Sequence, residues 1–154
     1  MTKTMMNNSV ECFTKEDFTE RATFRLHTAS RLIQQMSITQ LKALDITQAQ
    51  WRALSGVCIQ PGATLQQLTA FAQISQPLMS QAIKTLEDRA LVTRKTPLND
   101  KRSSVILVTE NGFTLYQKAY SAMMEVDERI INILGEEDTK KFKSLLDAIV
   151  VGFE

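Results

Sequence analysis

Helix starts are written into this chain by a repeated local device. Thr14 with Asp17, Thr47 with Gln50 and Thr64 with Gln67 each place a hydroxyl three positions before a side chain that can reach back. That reciprocal pattern is a capping box, which satisfies two otherwise orphaned N–H groups at a helix N-terminus. Phe13 and Phe18 flank the first box as a hydrophobic staple, and Ile46 and Trp51 flank the second. Ser75 is expected to cap a further helix, with Pro77 tolerated in its first turn because the N–H it lacks has no intrahelical partner there. The helix opened by Thr64 is barely two turns long, ends near Ala72, and is joined to the next by only Gln73-Ile74-Ser75. Two short helices in tandem across so small a turn predict a helix-turn-helix.

The apolar spacing fills in the rest. Phe18, Ala22, Leu26, Ala29, Ile33 and Met36 predict one helix of about five turns with a stripe that must cover another surface. Ala53, Leu54, Val57 and Cys58 continue the face opened at Trp51 until Gln60-Pro61-Gly62 stops it. Thr109 caps a long helix to about Leu134, where Gly135 breaks it, and Glu136, Glu137 and Asp138 favour the positive end of a last helix. That helix carries Phe142, Leu145, Leu146, Ile149, Val150 and Phe153 as its apolar set.

Between these helices stands Arg94-Lys-Thr-Pro-Leu-Asn-Asp-Lys-Arg-Ser-Ser-Val105, flanked by Leu91-Val-Thr93 and by Val105-Ile-Leu-Val-Thr109. β-Branched flanks around a Pro-Leu-Asn-Asp turn predict a hairpin with a basic tip. Charge is distributed unevenly: residues 64 to 109 hold six Lys or Arg against three Asp or Glu, and the remainder holds twelve against fourteen. A basic patch of this kind bears on partners, and phosphate backbones are its usual polyanion.

On the helix after Ser75, Met79, Ala82, Ile83, Leu86 and Ala90 are expected on one face, while Pro77, Gln81, Lys84 and Asp88 project from the other, flanked by Leu78, Ser80 and Thr85, with Gln76 at the helix start a further candidate DNA contact. Gln can pair bidentately with adenine, Ser adapts, Lys reaches phosphate or guanine, and Leu78 can meet a thymine methyl. Arg94, Lys95, Lys101 and Arg102 follow directly, so helix and hairpin together form a nucleic-acid-binding face, with double-stranded DNA as the expected partner. The competing reading is a solvated surface helix and a solvated loop.

Residues Asp45 to Ala119 resemble the winged helix-turn-helix core of the MarR family of transcriptional regulators. The resemblance rests on Thr47-Gln-Ala-Gln-Trp-Arg-Ala-Leu54, Leu86-Glu-Asp-Arg-Ala-Leu-Val92, the Asp100-x-Arg102 wing signature and Thr109-Glu-Asn-Gly112. It implies a mainly α (α+β) fold: a winged helix-turn-helix with long N- and C-terminal helices forming a dimerisation domain. It further implies a homodimer on a pseudo-palindromic operator, more often a repressor than an activator. Residues 1–12 are then a mobile N-terminus, 13–45 and 110–154 the dimerisation region, and 46–109 the DNA-binding domain. By the same resemblance Arg102 enters the minor groove and Asp100 orients the wing, with Lys101 and Ser103 beside them. Ala90 stands where the family usually has Gly, so a left-handed terminal residue there is either absent or strained.

Members of the family often respond to small aromatic or phenolic effectors, and some to thiol oxidation. His27 and Trp51 are candidates for an effector pocket, against the plainer readings of a structural histidine and a core indole. Cys12, just before a helix start, is the candidate redox thiol of an alternative, oxidation-sensing regulator, although Glu11, Glu16 and Asp17 oppose a lowered pKa. Cys58 shares an apolar face and reads as an inert thiol. A winged helix used for protein contacts is the other alternative. Metal-ligand spacing, a phosphate loop and a nucleophile elbow are all missing from the sequence, so no cofactor, metal or enzymatic activity is expected. No apolar run approaches membrane-spanning length and no signal-peptide pattern opens the chain, so a cytoplasmic location is expected.

Overall fold

A computed structural model describes residues 14–96 and 104–153, in two compact units, Met1–Gln34 and Gln35–Glu154. Phe13, the first staple residue, lies outside the described residues, as does Cys12.

In the first unit the Thr14 box forms as read: Asp17 N–H donates to Thr14 Oγ1 (3.1 Å) and Thr14 N–H to Asp17 Oδ2 (2.8 Å). The Thr14 hydroxyl also donates to Asp17 Oδ2 (2.7 Å), and this bond first, then the one from Thr14 N–H, stabilises the Asp17 carboxylate and lowers its pKa. The expected five-turn helix is, however, two helices, α1 (Lys15–Thr19) and α2 (Ala22–Ala43), separated at Glu20 and Arg21. Two local contacts account for the break. Thr19 Oγ1 donates to the Glu16 carbonyl (3.2 Å), a side-chain bond that competes with the helix ladder. Phe18 and Phe24 meet edge to face at 5.1 Å, whereas on a straight helix residues six apart are rotated by about 240° and displaced by about 9 Å. Apolar periodicity continues through the break and therefore concealed it.

In the second unit α3 (Gln48–Ile59), α4 (Leu65–Ala72) and α5 (Gln76–Asp88) surround the core, and β1 (Val92–Lys95) pairs antiparallel with β2 (Val105–Val108) in the register Val92↔Val108. The Thr47 and Thr64 boxes both form. Leu54 and Val57 from α3, Leu68 from α4, Met79, Ile83 and Leu86 from α5 and Ile106 from β2 are fully buried together. Each aliphatic side chain so buried stabilises the fold by roughly 1.5–3 kcal/mol. Ile106 N–H also donates to the Ala63 carbonyl (3.0 Å), tying the returning strand to the segment before α4. A smaller cluster gathers Leu41, Ile46 and Ala119, with Trp51 packed against it.

α6 (Glu110–Leu134) and α7 (Glu136–Phe153) follow, divided at Gly135 with φ 80°. Thr109 is the N-cap of α6: its hydroxyl accepts from Gly112 N–H (3.0 Å) and donates to the Ala90 (2.8 Å) and Leu91 (3.0 Å) carbonyls. A Cβ at Gly112 would sit 1.9 Å from the Leu91 carbonyl oxygen, so this approach requires glycine.

Candidate nucleic-acid interface

α5 presents the two faces that its spacing dictates, with two corrections. Met79, Ala82, Ile83 and Leu86 are buried, but Ala90 is exposed and lies beyond the helix. It holds a left-handed conformation, φ 55°, with Ala90 N–H bonded to the Glu87 carbonyl (2.9 Å) and Leu91 N–H to the Leu86 carbonyl (2.9 Å). That is a Schellman ending with alanine in the glycine position, so the turn is present and strained. Ser75 occupies the N-cap position but its side chain makes no capping bond. Pro77, the second helical residue, supplies no N–H, which removes one of the two usual donors to such a cap.

Gln76, Pro77, Leu78, Gln81 and Lys84 are exposed along the outward face, and Ser80 and Thr85 are half-buried. Thr85 Oγ1 donates to the Gln81 carbonyl (3.0 Å), so its hydroxyl proton is already engaged. Arg94 and Lys95 are exposed at the end of β1. Arg94 Nε donates to Glu87 Oε2 (3.2 Å), an ion pair that joins the first wing strand to α5. The remaining wing candidates, Asp100, Lys101, Arg102 and Ser103, lie outside the described residues.

Sequence reading missed the neighbours of this face. Leu78, Gln81 and Thr85 line a crevice of about 810 Å³ whose other wall is the end of α2 and the start of α3, with Lys42, Gln48 and Arg89 on its border. Arg89 donates through Nη1 to the Asp45 carbonyl (2.6 Å), and its Nη2 lies 3.6 Å from Asp45 Oδ2. Asp45 is itself left-handed, φ 55°, with Ile46 N–H bonded to the Leu41 carbonyl (3.2 Å). Only the basic character of Arg89 was visible in the sequence.

His27 is exposed on α2. Trp51 is half-buried and stacked on Tyr116 with ring centroids 5.6 Å apart. Cys58 is partly buried, and desolvation pushes its thiol up to about 11. Burial, followed by the neighbouring Cys58 and Tyr120, also raises the Tyr116 hydroxyl. Among the described residues no cluster of His, Cys, Asp and Glu could hold a metal ion, and no helix is long and apolar enough to cross a membrane.

Three helices around one core, the third with a polar outward face and followed by a two-stranded hairpin, define a winged helix-turn-helix protein. Residues 44–103 match the model of the MarR family. It is 22% identical over 121 residues to the uncharacterized HTH-type transcriptional regulator YwoH of Bacillus subtilis (strain 168), covering 79% of this chain and 88% of that one. The transcriptional repressor CouR bound to a 23-mer DNA duplex shares the fold with a TM-score of 0.82 at 20% identity, over 90% of this chain and 98% of that one. The MepR–DNA complex of S. aureus does so with a TM-score of 0.78 at 23% identity, over 86% and 98%.

Proposed function

We propose that the protein is a homodimeric repressor that binds a pseudo-palindromic operator and is modulated by a small aromatic or phenolic ligand. The observation that carries the DNA-binding part is the juxtaposition of two elements. The exposed side chains of Gln76, Leu78, Gln81 and Lys84 on α5 adjoin a basic strand that the Glu87–Arg94 pair ties to the same helix. Gln81 then reads a base edge, Lys84 and Lys95 meet phosphates, and Arg102 enters the minor groove. Two neighbours of the same fold are described as DNA complexes, one of them a repressor.

Dimerisation is supported by apolar surface near the chain end. Leu145, Val150, Val151 and Phe153 on α7 are 64%, 54%, 72% and 92% exposed, and Ile133 on α6 is 74% exposed. A patch of that kind in a water-soluble regulator is covered by association.

The test is fluorescence-anisotropy titration against the DNA upstream of the protein's own gene, beside a scrambled duplex, at about 50 and 200 mM salt, with Arg102→Ala in parallel. Preference for the first duplex, steep weakening with salt and loss in the variant are expected. Equal, salt-insensitive behaviour toward both duplexes would make the winged helix a protein-interaction module instead.

A further inference from the structure

Glu87 is a carboxylate set among cations. It follows Lys84 by just under one turn of α5, and its Oε2 accepts from Arg94 Nε at 3.2 Å, next to Lys95 on β1. The side chains of Glu87 and Arg94 are 37% and 35% exposed, and an ion pair so well hydrated contributes little to stability. A carboxylate at this place also opposes the approach of a polyanion. Neither the stability of the fold nor raw affinity for DNA accounts for it. The geometry does. Val92, at the root of β1, is buried in the core, whereas Arg94 and Lys95 at the outer end are exposed. Among the described residues Glu87 is the side chain that bonds this outer end to α5, and the bond runs through Nε, which leaves the terminal nitrogens of Arg94 as donors.

We infer that Glu87 is a positioning residue for sequence discrimination: it acts through Arg94, holding the outer wing strand at a fixed angle to α5, so that helix and strand engage together only on a duplex that suits both. The inference rests on the DNA-binding reading above. Its two physical parts act on different complexes. The negative charge weakens every duplex alike, because non-specific binding is almost wholly electrostatic and specific binding shares that contribution. The tether matters only where α5 and the wing dock at once, since a strand already held need not be ordered on binding. Discrimination is the difference between the two affinities, so the tether sets it and the charge does not. Asp88 supplies the comparison within the chain: it is the next residue, exposed, and bonded to no cation among the described residues.

The full-length wild type is first used to select duplexes from a randomised pool. Wild type, Glu87→Met and Asp88→Asn are then titrated by anisotropy against the tightest selected duplex and a scrambled duplex of the same composition, at about 100 mM salt. Asp88→Asn removes a charge without a tether, so it is expected to tighten both duplexes about twofold to threefold and to leave their ratio unchanged. Glu87→Met removes charge and acceptor together. It is expected to tighten the scrambled duplex by a similar factor, to weaken the selected one about twofold, and so to lower the ratio about fivefold, the scale of one exposed ion pair. Both variants should melt within about two degrees of the wild type. A contact that merely stabilises the fold would weaken both duplexes, and a mere charge would tighten both. The inference is overturned by a Glu87→Met ratio equal to that of the wild type, by an equal fall of the ratio in Asp88→Asn, or by a Glu87→Met protein that melts several degrees lower. An enriched sequence with an unchanged Glu87→Met ratio sinks this inference alone, whereas a pool that yields no enriched sequence sinks the regulator reading and the inference with it.

Discussion

The guanidinium of Arg89 donates to the main-chain carbonyl of Asp45 at 2.6 Å across 44 residues of sequence. It thereby holds the exit of α5 to the end of α2, and both ends are Schellman turns with a non-glycine residue in the left-handed position. Arg89→Met keeps much of the side-chain stem and removes the tether. Its unfolding free energy should fall by about 1–2 kcal/mol, the low end for a charge-assisted bond because Arg89 is one-third exposed. Urea denaturation measures it, and a loss below about 0.3 kcal/mol would show that the contact does not hold the turn.

Ala90 carries backbone strain that glycine would not. Ala90→Gly relieves roughly 1–2 kcal/mol of left-handed penalty and loses roughly 0.5–1 kcal/mol to the greater freedom of the unfolded chain. A net gain of about 0.5 kcal/mol is expected in the same denaturation experiment, and a destabilised variant would contradict the observed φ of 55°.

Gly112→Ala should be among the most damaging single-carbon additions, because the new Cβ meets the Leu91 carbonyl oxygen at 1.9 Å and backbone cannot rotate aside as a side chain can. A loss of about 3 kcal/mol or more is expected, visible as a melting point lower by ten degrees or so. Gly152→Ala, with nothing within 4 Å of the added atom, is the control.

Arg94 and Lys84 should differ in their salt signatures. Lys84 is exposed on the outward face, and if it meets a phosphate, Lys84→Met lowers the slope of log affinity against log salt by about 1. Arg94 is engaged by Glu87 at 3.2 Å, so Arg94→Met should weaken binding with a smaller change of slope and be non-additive with Glu87→Gln. Additive effects would instead make Arg94 an independent phosphate contact.

The thiol of Cys58, raised from 9.0 to about 11 by desolvation, makes stability depend on alkaline pH. Folded protein keeps the proton where the unfolded chain releases it, so the contribution is whole below about pH 9 and lost as pH rises toward 11. Urea midpoints at pH 8 and 10.5 should fall further for the wild type than for Cys58→Ala. Equal falls would show that the site is wetter than its burial implies.

What could be read from the sequence was what is decided within a few residues. The Thr47 and Thr64 boxes, the Gly135 break and both wing strands formed where spacing put them, because caps and turns are local chemistry. The break at Glu20 and Arg21 stayed hidden because periodicity reports which side is apolar and not whether the axis is continuous. Arg89 and Asp45, or Ser55 and Phe71, could not be paired in advance, since their proximity is a product of tertiary packing. On α5 the exposed side chains were legible from period alone, whereas the engagement of Thr85 and Arg94 was not.

Thr109 gives the wing its mechanical address. One hydroxyl donates to two carbonyls in the turn that ends α5 and accepts from the third residue of α6, within 3.0 Å of all three atoms. The root of the wing is therefore joined by one side chain to the start of a 25-residue helix, so the loss of a single hydroxyl would release three bonds between them.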